Sequence, residues 1–235
     1  MYQPVGRFST AFQPSPSIGQ VSPLRWQRIY QPVQGWRAAV KRAMDISIAL
    51  ILLAALATPL LLAMVAIRLE TPGRALFCQR RIGFANVAFS MWKLRTMHEH
   101  DPEQGRLVQA TCDDPRVTSL GRWLRRTSFD ELPQLVNVLR GEMSLVGPRP
   151  HAPGTCVGKK PFEMITPHYL ARHRVRPGIT GLAQVRGLRG ETETEQKLLL
   201  RVAADLEYID HWSLWLDVQI LLRTVAALFT AQNAY

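Results

Sequence analysis

From Ile46 to Ile67 the chain runs without a single charged residue. A bilayer-spanning helix needs about 20 consecutive apolar residues, so this stretch constrains the fold more than any other. A cleavable secretion signal fits poorly, because the run starts late, is long, and leads into Arg68-Leu-Glu70 in place of a small-residue cleavage site. The segment is expected to stay in the protein and in lipid. Thr58-Pro59 lies near its middle, and an interior proline kinks or breaks a helix, although membrane helices tolerate one where neighbours satisfy the freed carbonyl. The flanks say more. Arg37, Lys41 and Arg42 precede the run, and Arg68, Arg74, Arg80 and Arg81 follow it. A spanning helix normally concentrates its Lys and Arg on one side. Basic residues at both ends favour a segment that enters, bends at Thr58-Pro59 and returns, with a crossing helix still open.

With 235 residues there is room for one domain with a sizeable core, plus appendages. Twenty-nine Lys and Arg against 18 Asp and Glu give a formal charge of +11, so the partner carries negative charge. Nucleic acid, an anionic membrane surface and a phosphorylated substrate all meet that requirement. Residues 1–36, rich in Pro, Gln and Ser and free of acids, read as a disordered basic arm. Residues 37–70 hold the membrane-embedded helix, and 71–235 a cytoplasmic domain. Short turn-bounded pieces from Thr71 to Met97 suit brief strands, 98–115 reads as loop, and a helix is expected over Thr192 to Ile209. From Ser213 to Phe229, Trp215, Val218, Leu221, Leu222, Val225, Leu228 and Phe229 recur at helical spacing. That stretch is either an amphipathic helix lying on a bilayer or an ordinary core helix. The fold class is mostly α with a few short β-strands.

Adjacent carboxylates, Asp130 and Glu131, open an apolar helical pattern at Leu132, Leu135, Val136 and Leu139. One reading is a capping box, with Ser128 as cap and Glu131 three residues on. Pro133 opposes it, since a helix capped at Ser128 would carry that proline in its interior at a cost of about 3 kcal/mol. Starting the helix at Asp130 or Glu131 removes the clash and aims the acids from a helix N-terminus, where anions and phosphates are favoured.

The other candidates divide unevenly. Cys78, Cys112 and Cys156 are widely spaced and indicate neither a disulfide framework nor structural zinc. His98-Glu99-His100 places its histidines on opposite sides of a helix and reads as exposed loop. Basic residues cluster in rigid, turn-rich settings instead: Gln79-Arg80-Arg81-Ile-Gly83, Lys93-Leu-Arg95-Thr-Met97, Gly147-Pro-Arg149-Pro150 and Arg176-Pro-Gly-Ile-Thr-Gly181. Arginine so held is preorganised for phosphate oxygens. Beside a carboxylate pair, it points to a phosphoanhydride substrate, one acid attacking phosphorus and the other holding a divalent cation.

Together with Lys41-Arg-Ala-Met-Asp45, Ser128-Phe-Asp-Glu-Leu-Pro-Gln134 and the closing Trp-Ser-Leu-Trp-Leu-Asp217, these motifs resemble the bacterial sugar transferases, monotopic phosphoglycosyl transferases. The resemblance runs from about Lys41 to Tyr235. It implies a monotopic enzyme with a re-entrant helix broken at Thr58-Pro59 and interfacial amphipathic helices, on the cytoplasmic face of the bacterial inner membrane. It implies Asp130 as nucleophile toward a UDP-sugar and Glu131 as a ligand of Mg²⁺ (or Mn²⁺). Arg149, Arg125, Lys93 and Arg95 would hold phosphates or organise the site, and Arg81 and Arg176 join them as candidate phosphate contacts. The acceptor would be undecaprenyl phosphate, with membrane lipids around it and downstream glycosyltransferases as onward partners. The ending looks most like members that move glucose 1-phosphate in exopolysaccharide assembly, with galactose or N-acetylhexosamine 1-phosphate as alternatives. Larger relatives carry membrane helices ahead of this unit, where only the arm is expected here. A rival of another class, a membrane-anchored basic protein binding nucleic acid or anionic lipid without chemistry, explains the charge and the apolar run but not the acid pair. No nucleic-acid partner is expected.

Overall fold

The computed structural model describes residues 35–98 and 114–229. The expected arm up to residue 34, most of the 98–115 loop with Glu99, His100 and Cys112, and the end of the chain from residue 230 lie outside them. The described chain is mostly helical with a few short strands.

Helix α1, Gly35–Glu70, contains the uncharged run. Leu and Ala, both strong helix formers, dominate it. At about 1.5 Å per residue, its 36 residues extend about 54 Å. Among the described residues it is the one helix long and apolar enough to cross a membrane, with a mean hydropathy of 2.7 over its most apolar window. The helix runs unbroken through Thr58 and Pro59, both exposed. An interior proline can bend a helix without ending it. Proline removes a single backbone donor, and the bonds on either side carry the helix past it. One stripe packs on the rest of the protein: Lys41, Asp45 and Ala49 at the start, then Leu53, Leu60, Ala63, Met64 and Ile67. Leu50, Ile51, Leu61, Leu62 and Val65 stay exposed.

The expected brief strands are β1 (Leu76–Ile82) and β2 (Ala88–Leu94), which pair as a hairpin, antiparallel from Leu76↔Leu94 to Ile82↔Ala88. Helix α2 (Ser119–Arg126) follows, its first turn capped by the Thr118 hydroxyl, which accepts from the Gly121 N–H. A 3-10 turn over Phe129–Glu131 leads into α3 (Gln134–Arg140). Gly141, left-handed at φ 82°, closes that helix, the usual role of glycine after a last helical turn. Strand β3 (Ser144–Val146) pairs in parallel with a later strand, Gly178–Thr180. The two strands exit against each other at a glycine contact, where a Cβ on Gly178 would lie 2.1 Å from the Gly147 nitrogen. Only glycine permits that approach, and it brings Gly147-Pro-Arg149-Pro150 beside Arg176-Pro-Gly178.

A small ribbon, β4 (Cys156–Val157) with β5 (Lys160–Pro161), precedes α4 (Phe162–Ile165), a 3-10 stretch over Tyr169–Arg174, β6 (Gly178–Thr180) and α5 (Leu182–Val185). Helix α6 covers Glu195–Asp210 and starts later than the expected Thr192, because the Thr194 hydroxyl accepts from Lys197 N–H and fixes the cap. Helix α7, Leu214–Phe229, covers the C-terminal pattern. Asp217 and Ile220 are buried in the core, while Trp215, Leu222 and Val225 are exposed.

The core gathers Ala49, Val138, Met143, Leu145, Val146, Tyr208, Ile209 and Ile220. Inside it α1 and α7 are tied by charge. Lys41 Nζ donates to Asp217 Oδ2 at 2.7 Å, Tyr208 hydroxyl to Asp217 Oδ1 at 2.8 Å, and Trp212 Nε1 to Oδ2 at 3.2 Å. One turn along α1, Asp45 accepts from the Ser144 hydroxyl and the Leu145 N–H.

Candidate active site

Asp130 and Glu131 sit on the 3-10 turn, not in the first turn of an α-helix. The α-helix begins after Pro133, whose ring occupies the cap position without clashing. Ser128 makes no side-chain cap bond and adopts a left-handed conformation at φ 57°. For a residue with a Cβ that conformation costs roughly 1–2 kcal/mol. The capping box is therefore absent. The left-handed residue turns the chain sharply out of α2 and aims both acids at β2.

Their surroundings differ. Glu131 is held from two sides: Lys93 Nζ, on β2, donates to Oε1 at 2.8 Å, and Arg149 forks across both oxygens, Nη1 to Oε2 at 3.0 Å and Nη2 to Oε1. Burial works against its charge, but Arg149 and Lys93 dominate and hold its carboxyl far below the usual range. Asp130 lies 3.9 Å from Lys93 Nζ and is 7% exposed. Burial raises its pKa to about 6, with Glu131 adding to the rise while Lys93, Arg149 and Arg125 oppose it. The pair thus consists of one acid locked in ion pairs and one poised acid beside it.

The cage is braced from behind. Asn137, fully buried on α3, accepts from the Trp92 N–H at 3.0 Å and donates to Ser90 O at 2.8 Å, stitching the acid turn's helix to β2. Arg172 donates to the Arg149 carbonyl at 2.7 Å, binds Asp205 of α6 through Nε and Nη2, and meets His151 Nδ1. His151 is held neutral by burial first and then by Arg172, so its Nδ1 accepts. These contacts fix the main chain that carries Arg149. Sequence reading missed Asn137, Arg172, Asp205 and Tyr208. The available signal was position, with Asn137 two turns beyond the acid pair and His151 directly after Pro150.

The expected phosphate contacts separate in space. Lys93 and Arg149 reach the pair, and Arg125 lies near enough to act on Asp130 while its Nε donates to Thr96 Oγ1 at 2.9 Å. Arg81 is close behind, its pKa lowered to about 10 by burial and by Arg149, with Nη2 on Gln79. Arg95 is not gathered there: its Nη atoms hold the Thr71 and Pro72 carbonyls after α1. Arg176 also stands apart, with Nε on Gly141 O at 2.8 Å.

For a divalent cation, both Glu131 oxygens are already engaged, and among the described residues no three His, Cys, Asp or Glu side chains converge. Mg²⁺ is commonly held by one or two carboxylates completed by substrate phosphates and water. A Mg²⁺ here would have to take over a Glu131 oxygen now held by Lys93 or Arg149, with Asp130 beside it and substrate oxygens supplying the remaining donors.

An apolar helix docked on a helix-rich domain, with a poised carboxylate inside a basic cage, suits a membrane-associated enzyme acting on an anionic substrate. Residues 36–231 match the profile of the family described as Bacterial sugar transferase, and the chain belongs to that family. It is 54% identical over 197 residues to the UDP-glucose:undecaprenyl-phosphate glucose-1-phosphate transferase of Caulobacter vibrioides, covering 83% of this chain and 72% of that protein. It is 49% identical over 205 residues to the undecaprenyl-phosphate glucose phosphotransferase of Komagataeibacter xylinus, covering 87% of this chain and 38% of that one. The exopolysaccharide production protein PSS of Rhizobium leguminosarum bv. phaseoli is 44% identical over 196 residues, 83% of this chain and 98% of its own length. The chain thus spans well under half of one relative and nearly all of another.

Proposed function

We propose that this protein moves glucose 1-phosphate from UDP-glucose to undecaprenyl phosphate, releasing UMP, in two covalent steps at the cytoplasmic face of the bacterial inner membrane. The product would open exopolysaccharide assembly. The names of the Caulobacter and Komagataeibacter relatives support donor and acceptor. The observation that carries the mechanism is the division within the acid pair, with Asp130 poised and Glu131 locked.

In the first step an Asp130 carboxylate oxygen attacks the β-phosphorus of the UDP-sugar. The bond from that phosphorus to the bridging oxygen breaks, UMP leaves with the electron pair, and the phosphosugar remains on Asp130 as an acyl phosphate. In the second, an oxygen of the lipid phosphate attacks the same phosphorus, the Asp130–phosphorus bond breaks, and the carboxylate is regenerated. Lys93, Arg149 and Arg125 place positive charge where the phosphoryl oxygens gain negative charge, in a site already partly dry. Bound at Glu131, a Mg²⁺ would supply further charge neutralisation to the diphosphate.

The re-entrant reading of α1 draws support from its packing. Lys41, Asp45 and Ala49 at one end, and Leu60, Met64 and Ile67 at the other, all lie against the same domain. A helix crossing the bilayer would carry its far end out of that domain's reach. Single cysteines placed at 38 and 72 are expected to resist external labelling in intact cells, and reactivity at only one of them means that the helix spans. For the chemistry, membranes given a panel of UDP-sugars and undecaprenyl phosphate should release UMP most rapidly with UDP-glucose. Preference for another UDP-sugar replaces the donor, and no release from any of them removes the reaction.

A further inference from the structure

Apart from the acid pair, the described residues hold a second cationic recess. It is a cleft of about 320 Å³ at the foot of α1, lined among others by Ala38, Arg42, Asp45, Arg174 and Arg176. None of these side chains bonds to Asp130 or Glu131. Lys41, also on its wall, is consumed by Asp217, and Arg174, 8% exposed, pairs with Asp210 at 3.1 Å. Arg42 and Arg176 differ. Arg42 donates to the Val138 and Leu139 carbonyls and Arg176 Nε to the Gly141 carbonyl, so both are fastened to the end of α3. Those bonds satisfy helix-end carbonyls and spend no carboxylate. Asp45 acts on Arg42 only through space, its own oxygens being taken by Ser144 and Leu145. The two Nη atoms of Arg176 have no partner among the described residues.

Depth fixes the occupant. Arg42 lies one helical turn before the uncharged run, about 6 Å along the helix axis. Trp36, 68% exposed with the Arg37 guanidinium 5.7 Å from its ring centroid, sits at the same end, as tryptophan does at membrane interfaces. A basic recess beside a membrane helix at that level faces lipid headgroups.

We propose that this cleft binds the phosphate of an anionic phospholipid headgroup, held by Arg176 and Arg42 with Arg174 behind them. The lipid fastens the foot of α1 to the end of α3, whatever sugar the enzyme moves. A free inorganic phosphate shares this chemistry, as does the phosphate of the acceptor lipid, and the test separates all three.

The full chain in neutral detergent is unfolded by heat with phosphatidylglycerol, phosphatidylcholine, inorganic phosphate or undecaprenyl phosphate at matched concentration. Phosphatidylglycerol is expected to raise the midpoint by several degrees through mass action, phosphatidylcholine and inorganic phosphate to leave it near the starting value, and undecaprenyl phosphate, the proposed acceptor, to raise it by an amount that Arg176→Gln leaves unchanged. Arg176→Gln should lose more than half of that shift. Arg126→Gln, which removes the same charge from an exposed position on α2, should keep it. Arg176→Lys retains the charge without the fork and should fall between, which covers failure of the glutamine variant to fold. Equal shifts in all variants, an equal loss in Arg126→Gln, or a full shift with inorganic phosphate overturns the proposal. A shift with undecaprenyl phosphate alone, lost in Arg176→Gln, assigns the cleft to the acceptor and overturns it too.

Discussion

The cluster around Glu131 and the cluster around Asp217 are built from the same parts and finish differently. Each sets a carboxylate against protein donors, at least one of them a cation, in a largely buried pocket. At Asp217 one acid, 0% exposed, meets Lys41, Tyr208 and Trp212, so both of its oxygens are saturated by groups of the protein itself. At Glu131, Lys93 and Arg149 saturate the acid just as fully, but a second carboxylate, Asp130, stands 3.9 Å from the nearest cation with a pKa near 6. A cluster whose charges all close on each other fastens elements together. One with a surplus acid beside its cations has reactivity left over.

The contrast breaks most visibly at Asp130. Asp130→Asn keeps the shape and removes the nucleophile, so UMP release and transfer of label to lipid should fall by roughly a thousandfold or more, while the unfolding midpoint hardly moves. Near-normal turnover in that variant ends the covalent scheme. Asp217→Asn should do the reverse. It leaves buried Lys41 with Asp45, 3.9 Å away, as its remaining carboxylate, at a cost toward the lower end of about 3–5 kcal/mol, read by denaturant titration in detergent. A loss under about 1 kcal/mol, the range of an exposed pair, would show that the buried tie is dispensable.

Acidity distinguishes the two carboxylates of the pair. Activity requires the Asp130 carboxylate, so kcat/KM is expected to be flat above pH 7 and to drop about tenfold per unit below 6. Glu131→Gln should lower activity, alter its Mg²⁺ dependence and move the acid limb downward, because the Glu131 charge helps to raise the Asp130 pKa. A limb that stays in place leaves burial as the sole cause, and an unchanged Mg²⁺ dependence removes Glu131 as a ligand. The smallest effect belongs to an open pair, Arg186 with Glu207, whose side chains are 43% and 40% exposed. Arg186→Ala should cost under about 1 kcal/mol, since water already screens that contact.

Much of this arrangement is readable from residue order where the signal is local. The strands β1 and β2, though not their pairing, follow from turn-bounded pieces, α7 from helical spacing, and the displacement of the acids from a capping role from Pro133 alone. What escapes is long-range or depends on what a donor meets. Arg95, Arg149 and Arg176 all sit in short rigid motifs, yet Arg149 forks onto Glu131 whereas Arg95 and Arg176 spend donors on main-chain carbonyls. Nothing in a local motif tells a carbonyl from a phosphate. Residue spacing places the start of α3 a few residues early, because a 3-10 turn and the first turn of an α-helix share the same apolar pattern. Arg172 with Asp205 and Lys41 with Asp217 join residues 33 and 176 positions apart, a separation that residue patterning does not encode.

The bond between Lys41 and Asp217 also has a consequence in time. With synthesis adding roughly 5–20 residues per second, Lys41 leaves the ribosome roughly 9–35 s before the aspartate that neutralises it. For most of that interval α1 is already made and its lysine has no place in the core. Final seating of the membrane helix therefore waits on the last helix of the chain, and a nascent protein cut short before Asp217 keeps a charged residue where the finished one has a sealed joint.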